Sequence, residues 1–128
     1  MYAATNAINA YQQNGVNTAS KEKLLLMLYD GLVKFIKQGI AGLDEKDYSK
    51  SNTNFIKAEN IINEFMSTLN MEVGGEIPKS LMALYDYMNR RLVEANIKKD
   101  KNIAEEVLGF AEELKQTFEE AYKIAKKN

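Results

Sequence analysis

The longest periodic run of apolar residues extends over residues 18–43 and constrains the fold more than any other part of the sequence. Large apolar side chains recur there in steps of three and four residues, at Leu25, Tyr29, Leu32, Ile36, Ile40 and Leu43. This spacing places them on one side of a helix. Ser20 is the predicted N-cap, and Glu22 would add negative charge in the first turn, where the helix dipole favours it. The run predicts a long amphipathic helix with a buried apolar side.

The same run carries a second apolar flank beside the first. It consists of Leu24, Leu28 and Phe35, continued by Gly31, Gly39 and Gly42. Each glycine inside a helix costs about 1 kcal/mol relative to alanine, so three on one flank indicate the close approach of another group. Two interpretations remain open. The flank either packs tightly inside the protein's own bundle or forms a groove for a foreign helix.

Three more amphipathic segments follow the first helix. The second is expected over residues 48–69 with Asp47 as its N-cap, and the third begins at Pro78, after the Gly74-Gly75 break, and ends within residues 96–100. The fourth is expected over residues 102–125. Its predicted core positions are Ile103, Val107, Phe110, Leu114, Phe118 and Tyr122. Helices of similar length with short connections favour an all-α, antiparallel up-down-up-down four-helix bundle over residues 18–128, preceded by a short N-terminal arm.

The arm comprises residues 1–17 and is rich in Asn and Gln. Ile8 and Tyr11 are its only large apolar residues between Ala3 and Val16, and they lie three positions apart, on one side of any helical turn. Two interpretations are open: a disordered tail, or an arm that docks reversibly on the bundle as a displaceable lid.

Composition excludes several classes of function. The chain has 128 residues, the size of one domain, and its net charge of −1 gives no general attraction to nucleic acid or anionic lipid. It contains no Cys and no His, which excludes thiol chemistry, His-containing triads and the usual di-iron site. No apolar run is long enough to span a bilayer, and no signal peptide is recognisable. We therefore expect no cofactor, no metal, no nucleic-acid partner and no membrane insertion.

Acidic residues offer two further patterns. Asp30 and Asp86 each follow a Tyr in a Leu-Tyr-Asp triplet. Two such acids on facing helices could serve in acid–base catalysis. The more common alternative is that each is solvated or forms an ion pair with Lys or Arg. Acidic pairs recur every seven residues on the fourth helix: Glu105-Glu106, Glu112-Glu113 and Glu119-Glu120. They indicate a solvated helix side, with a docking strip for a basic partner as the alternative.

Five stretches give the chain a resemblance to a known family. They are AYQQNGVNTAS (10–20), EKLLLMLYDGL (22–32), KAENIINEF (57–65), LNMEVGGEI (69–77) and LYDYMNRRLVEANIKKD (84–100). In order and spacing they resemble the flagellar secretion chaperone family FliS, over nearly the whole chain. Two positions depart from the family pattern. Lys21 stands where the family usually has Pro, and Phe118 stands where it often has Trp.

The resemblance implies a cytoplasmic, non-enzymatic protein that binds the disordered C-terminal segment of flagellin. It would prevent premature polymerisation and assist delivery to the export apparatus, with the export gate and other flagellar regulators as further candidate partners. The alternative is a helical adaptor without an export role. We take eight residues as the candidate partner-binding set: Ile8, Tyr11, Leu24, Leu28, Gly31, Phe35, Tyr85 and Met88.

Overall fold

The computed structural model describes residues 18–73 and 75–127, which form four long helices and one short 3-10 turn. Their bounds are Thr18–Asp44 (α1), Tyr48–Thr68 (α2), Met71–Val73 (3-10), Glu76–Lys98 (α3) and Lys101–Lys127 (α4). The expected arm, residues 1–17 with Ile8 and Tyr11, lies outside the described residues. Within the described part of the chain no strand occurs, and the predicted all-α class is confirmed.

Each helix packs against two neighbours, so that the four lie at the corners of a square. α1 and α3 each contact α2 and α4, and they face one another across the diagonal. Ion pairs between α1 and α4 give the direction. Asp44 pairs with Lys101 and Asp30 pairs with Lys115, so the numbering falls along one helix as it rises along the other. The predicted four-helix bundle is therefore confirmed, with α1 and α4 antiparallel.

Helix ends follow local chemistry. The Asp47 carboxylate accepts a hydrogen bond from the backbone N–H of Lys50 at 3.1 Å, which confirms it as the N-cap of α2. Gly75, with φ of +76°, precedes α3, and Pro78 lies in the first turn of that helix, where its missing N–H costs nothing. Lys99 ends α3 in the left-handed conformation, and its N–H bonds the Ala95 carbonyl.

The predicted start of the first helix is wrong. α1 begins at Thr18, so Ser20 lies within its first turn and is not the N-cap, and Glu22 lies beyond that turn. A proline at position 21 would disfavour helical backbone at Ser20. Lys21 imposes no such restriction, so Ser20 can adopt helical backbone.

One aromatic residue from each helix meets at the centre of the bundle. Tyr29, Phe65, Tyr85 and Phe118 are all fully buried. The Tyr29 ring centroid lies 4.3 Å from that of Phe65 and 5.0 Å from that of Phe118, and the Phe65 and Tyr85 centroids are 5.3 Å apart. The hydroxyls of Tyr29 and Tyr85 share a hydrogen bond of 2.5 Å across the diagonal. Phe118 thus fills the core at the position where the family often has Trp.

The core side of α4 differs from the predicted one. Ile103, Val107 and Phe118 are buried as expected, but Phe110, Leu114 and Tyr122 are only half-buried. Three alanines, Ala104, Ala111 and Ala121, complete the buried side. Small side chains let neighbouring helices approach closely, whereas a sequence pattern based on large apolar residues passes over them.

Two of the three glycines on the second flank of α1 pack against α2. A Cβ at Gly42 would lie 2.6 Å from the backbone nitrogen of Ser51, and one at Gly39 would lie 2.5 Å from the Phe55 ring. Both glycines are buried. Gly39 and Gly42 therefore belong to tight packing within the bundle. Gly31, in contrast, is half-exposed, and a Cβ there would meet the flexible end of Ile61 at 3.2 Å.

The glycines give a paired prediction about stability. Gly39→Ala should lower the free energy of unfolding by about 1–3 kcal/mol, because the buried Phe55 ring cannot move aside without disturbing the core. Gly31→Ala should leave the free energy of unfolding unchanged or raise it by less than about 1 kcal/mol, since alanine is the better helix former and Ile61 Cδ1 can shift. Urea denaturation of the two variants measures both values. Equal losses would show that Gly31 is also a packing glycine.

Candidate protein-binding groove

Two stripes of side chains border a groove between α1 and α2, which we call the α1–α2 groove. The α1 stripe contains Leu24, Leu28, Gly31 and Phe35; the α2 stripe contains Lys57, Ile61, Glu64 and Thr68. Both sets follow the spacing of four, three and four residues that keeps side chains on one side of a helix. The stripes meet at Gly31, where an added Cβ would lie 3.2 Å from Ile61 Cδ1 and 3.8 Å from the Phe35 ring. Because Gly31 has no side chain, the floor of the groove stays low at its middle.

An open cleft of about 700 Å³ forms the end of the groove farthest from the α1–α2 turn. Its walls come from the start of α1, the end of α2 and the 3-10 turn. The lining residues are Lys21, Leu24, Leu25, Leu28, Glu64, Ser67, Thr68, Leu69, Asn70, Met71 and Glu72. A cleft of this size that joins apolar and polar side chains is suited to receiving part of another molecule.

Several apolar side chains of this region lie in solvent. Leu24 is 55% exposed, Met27 beside it is 62% exposed, and Met71 of the 3-10 turn is exposed as well. Leu28, Phe35 and Ile61 are half-buried and pack on the core from outside. Contiguous exposed apolar surface of this kind marks interaction sites more often than single exposed residues do.

The structure brings four of the eight candidate binding residues together and separates two others from them. Leu24, Leu28, Gly31 and Phe35 share the groove, and this arrangement makes a groove the better interpretation for that half of the flank. Ile8 and Tyr11 lie outside the described residues. The remaining two do not lie on this surface.

Tyr85 and Met88 of α3 are fully buried and belong to the core. Their assignment to a partner-binding surface is not supported, because no part of either side chain reaches solvent in this conformation. Both lie between the buried Leu81 and Leu92 at steps of three and four residues, which is the spacing of the core side of α3.

Sequence reasoning missed the whole α2 stripe, which consists of Lys57, Ile61, Glu64 and Thr68. It also missed Lys34 of α1 and Met71 of the 3-10 turn. Ile61 lies four residues before the buried Phe65, so helical spacing alone places it at the edge of the buried side of α2. Met71 lies in the break after the second helix, where no periodicity operates. The two lysines become part of the site only through their positions beside Phe35.

Asp30 and Asp86 do not form an acid–base pair. Asp30 Oδ1 lies 3.1 Å from Lys115 Nζ of α4, and Asp86 Oδ2 lies 3.0 Å from Arg90 Nε on its own helix. The hydrogen bond from Lys115 to Asp30 raises the pKa of the Lys115 ammonium. The interpretation as ion pairs is therefore confirmed.

All six glutamates of the acidic pairs on α4 are exposed, as the solvated interpretation predicts. Glu106 accepts hydrogen bonds from the Tyr87 hydroxyl at 2.9 Å and from Arg91 Nε at 3.0 Å, and Arg91 in particular lowers the pKa of the Glu106 carboxyl. Glu112 pairs with Lys37 at 3.8 Å. These contacts tie α4 to its two neighbours.

Glu22 is a charged residue on the core side of α1. It precedes Leu25 and Tyr29 on that side and is only 5% exposed. Burial raises the pKa of the Glu22 carboxyl above its ordinary value of 4.5, because the ionised form loses hydration. We therefore expect the ionised Glu22 carboxylate to lower the stability of the end of the bundle next to the cleft.

The sign of this effect predicts a pH dependence. A folded-state pKa above the unfolded value of 4.5 means that the folded protein binds more protons, so stability falls as the pH rises from 4.5 through the raised pKa. Glu22→Gln should therefore raise the melting temperature at pH 7, and the gain should shrink as the pH approaches 4.5. Thermal unfolding by circular dichroism at several pH values tests this.

The matched control is Glu113→Gln, which changes an exposed carboxylate of α4. It should alter the melting temperature little at any of these pH values. A Glu22→Gln variant less stable than the parent at pH 7 would contradict the interpretation, since it would show that the ionised carboxylate contributes a favourable contact.

A four-helix bundle with an open apolar groove between two helices is typical of proteins that bind an amphipathic segment of another chain. Comparison with known families gives the same class in more detail. The family model described as "Flagellar protein FliS" matches residues 4–125. The chain belongs to this family, as the sequence resemblance indicated.

Curated relatives are similar over almost their whole length. The "Flagellar secretion chaperone FliS" of Bacillus subtilis (strain 168) is 43% identical over 126 residues, covering 98% of this chain and 93% of the relative. The protein of the same name from Salmonella typhimurium is 36% identical, covering 94% of this chain and 92% of the relative. The family is one of chaperones rather than enzymes, and membership supports a role in flagellar export.

None of the helices in the described ranges combines the length and the apolarity that a bilayer-spanning helix requires.

Proposed function

We propose that this chain is a cytoplasmic export chaperone whose α1–α2 groove binds the disordered C-terminal segment of flagellin. Binding would prevent premature polymerisation and hold the client in a form that the flagellar export apparatus can receive. One observation carries the proposal: Leu24, Leu28 and Phe35 form a continuous, partly exposed apolar stripe beside an open cleft. Membership of a flagellar chaperone family supports a client from the flagellar export system.

The groove has the physical properties that such a client requires. An amphipathic segment that is unpaired before assembly must cover its apolar side, and a groove between two helices accepts it with apolar anchors at intervals of three and four residues. The α1 stripe repeats at these intervals. Ordering a disordered chain offsets much of the energy gained by burial, so the complex should be reversible, as a handoff to the export gate demands.

The partner prediction is tested with a synthetic peptide of the C-terminal segment of flagellin from the same organism. We expect one-to-one binding by calorimetry, with a gain of helical circular dichroism when chain and peptide are mixed. Phe35→Ala should weaken the affinity at least about 5-fold, because aromatic residues dominate interface energies. Its melting temperature should fall by less than truncation of a fully buried Phe would cause.

The matched control is Ile97→Ala on α3, the helix diagonally opposite α1. Ile97 is 76% exposed, so its truncation also removes exposed apolar surface without disturbing the core. It should leave the peptide affinity within about 2-fold of the parent value. Absence of heat and of helical gain with the parent protein would refute the proposed function. Equal losses for both variants would refute the location of the groove.

We further propose that residues 1–17 cover this groove in the absence of client. The arm joins α1 at Thr18, three residues before Lys21 and six before Leu24, both of which line the cleft. Ile8 and Tyr11 would therefore be tethered next to the exposed apolar surface. Each kcal/mol that stabilises the covered state is subtracted from client affinity, so the contact must be weak.

Hydrogen exchange tests the arm directly. We expect amides around Ile8 and Tyr11 to exchange faster in the complex with the flagellin peptide than in the free chain, because the client displaces the arm. Deletion of residues 1–17 should leave the peptide affinity unchanged or tighter and should increase aggregation of the free protein. Greater protection of these amides in the complex would mean that the arm clamps the client instead of covering the groove.

A further inference from the structure

The Phe35 end of the α1–α2 groove has a charge pattern that the apolar stripe does not explain. Two lysines face the Phe35 ring from opposite sides of the groove. Lys34 Nζ of α1 lies 6.0 Å from the ring centroid, and Lys57 Nζ of α2 lies 5.4 Å from it. Both distances are at the outer range in which an ammonium is attracted to an aromatic face. The half-buried ring is thus bordered by two positive charges.

Neither ammonium forms an ion pair with a carboxylate of the residues that the structure describes. Among the described residues, the carboxylates that form ion pairs with lysine bond Lys37, Lys50, Lys98, Lys101 and Lys115 instead. Lys34 and Lys57 lie beside the Phe35 ring. An aromatic ring is a weak counterion, worth about 0.5–1 kcal/mol at an exposed site. In the free protein, water supplies the remaining stabilisation.

The other end of the groove has mixed charge. Its cleft is lined by Lys21 together with Glu64 and Glu72, so a bound chain would meet both signs there. At the Phe35 end, by contrast, two lysines border the ring and neither forms an ion pair with the described residues. The groove therefore has an electrical polarity along its axis, and a partner with a matching polarity would be favoured.

Binding of a client changes the balance at Phe35. An apolar side chain placed on the ring would remove water from the two neighbouring ammoniums, and charges that lose water without gaining a partner are costly. A carboxylate on the client, next to that apolar side chain, would replace the lost hydration with two charge-assisted hydrogen bonds. Apolar contact and ion pairing would then support each other at one place.

We propose that Phe35, Lys34 and Lys57 form a subsite for an apolar side chain that lies next to an Asp or Glu of the client segment. This inference rests on the proposed function of the α1–α2 groove. The subsite would set the register of the client, because the acidic residue fits at one end of the groove and the mixed charges of the cleft offer it no equivalent position. Leu24 and Leu28 would contribute apolar contact without selecting for charge.

Charge neutralisation tests the subsite with the same flagellin C-terminal peptide. Lys34→Gln and Lys57→Gln should each weaken the affinity by about 2- to 5-fold at low salt, with a larger loss in the double variant. The losses should shrink at 0.5 M NaCl, where exposed charges are screened. The control is the double variant Lys46→Gln/Lys79→Gln, which removes the same charge from exposed positions outside the groove and should stay within about 2-fold of the parent.

The peptide provides the second half of the experiment. Each Asp or Glu of the peptide is changed in turn to Asn or Gln, and one of these changes should reproduce the loss seen in the lysine variants. Combined with the double lysine variant, that change should cause no further loss, since both halves remove one interaction.

The outcomes separate this subsite from the function on which it rests. If the parent protein binds the peptide and the lysine variants lose no more affinity than the control, the subsite is refuted and the groove stands. The same holds if every acidic residue of the peptide is dispensable. If the parent protein fails to bind the peptide at all, the proposed function is refuted and the subsite with it.

Discussion

The bundle depends on the aromatic layer at its centre. Each helix contributes one buried ring, and these rings stack in a chain in which Tyr29 contacts Phe65 and Phe118, and Phe65 contacts Tyr85. Helices that lie at diagonal corners of a square bundle make little other contact. The 2.5 Å hydrogen bond between the hydroxyls of Tyr29 and Tyr85 closes this diagonal and gives each hydroxyl a partner in an apolar interior. The layer thereby fixes the rotation of α1 and α3 about their own axes.

The rotation of α1 about its axis determines which of its apolar side chains stay outside the core. With Tyr29 at the centre, Leu25, Leu32 and Ile36 turn inward, and the stripe through Leu24, Leu28 and Phe35 is left between α1 and α2. The two helices pack tightly near their connecting turn, where Gly42 meets the Ser51 backbone. The cleft lies at the opposite end, beyond Leu28. Close packing at one end and an open end at the other give the groove its shape.

Much of the fold follows from the sequence, because apolar spacing and turn chemistry act locally. The predicted bounds of α2 and its Asp47 N-cap agree with the structure within one residue. They were predictable because a carboxylate just before a helical run can accept a hydrogen bond from a free backbone N–H of the first turn. Other features depend on contacts between helices and escape a local pattern. Ala104 and Ala111 are core residues because α4 approaches its neighbours closely. Their small size permits this approach, but a small side chain alone does not predict burial.

In the candidate site, too, some residues could be predicted from local spacing and others only from contacts between helices. Phe35 and Leu28 stood out as surplus apolar positions on one helix, whereas Tyr85 and Met88 had nothing in their spacing to distinguish them from the core. Lys34 and Lys57 are unremarkable in the sequence, because surface lysines are common. Their importance depends on a contact between two helices, which sequence spacing does not predict: Lys57 Nζ of α2 lies 5.4 Å from the centroid of the Phe35 ring of α1. Surfaces made by two helices require the packing of both to be known.

The buried core residues of α1 and its proposed binding residues lie on different sides of the helix. The inner side of α1 holds Tyr29 and Ile36, which are fully buried, and the outer flank holds Leu24 and Phe35, which are not. A substitution on the inner side removes packed atoms from a dense core, with costs of about 2–5 kcal/mol for large truncations. A substitution on the outer flank leaves that core intact. The proposed client groove can therefore vary in its contacts while the aromatic layer preserves the bundle. Leu28 and Phe35 are exceptions, because both are half-buried and pack on the core as well as bordering the groove.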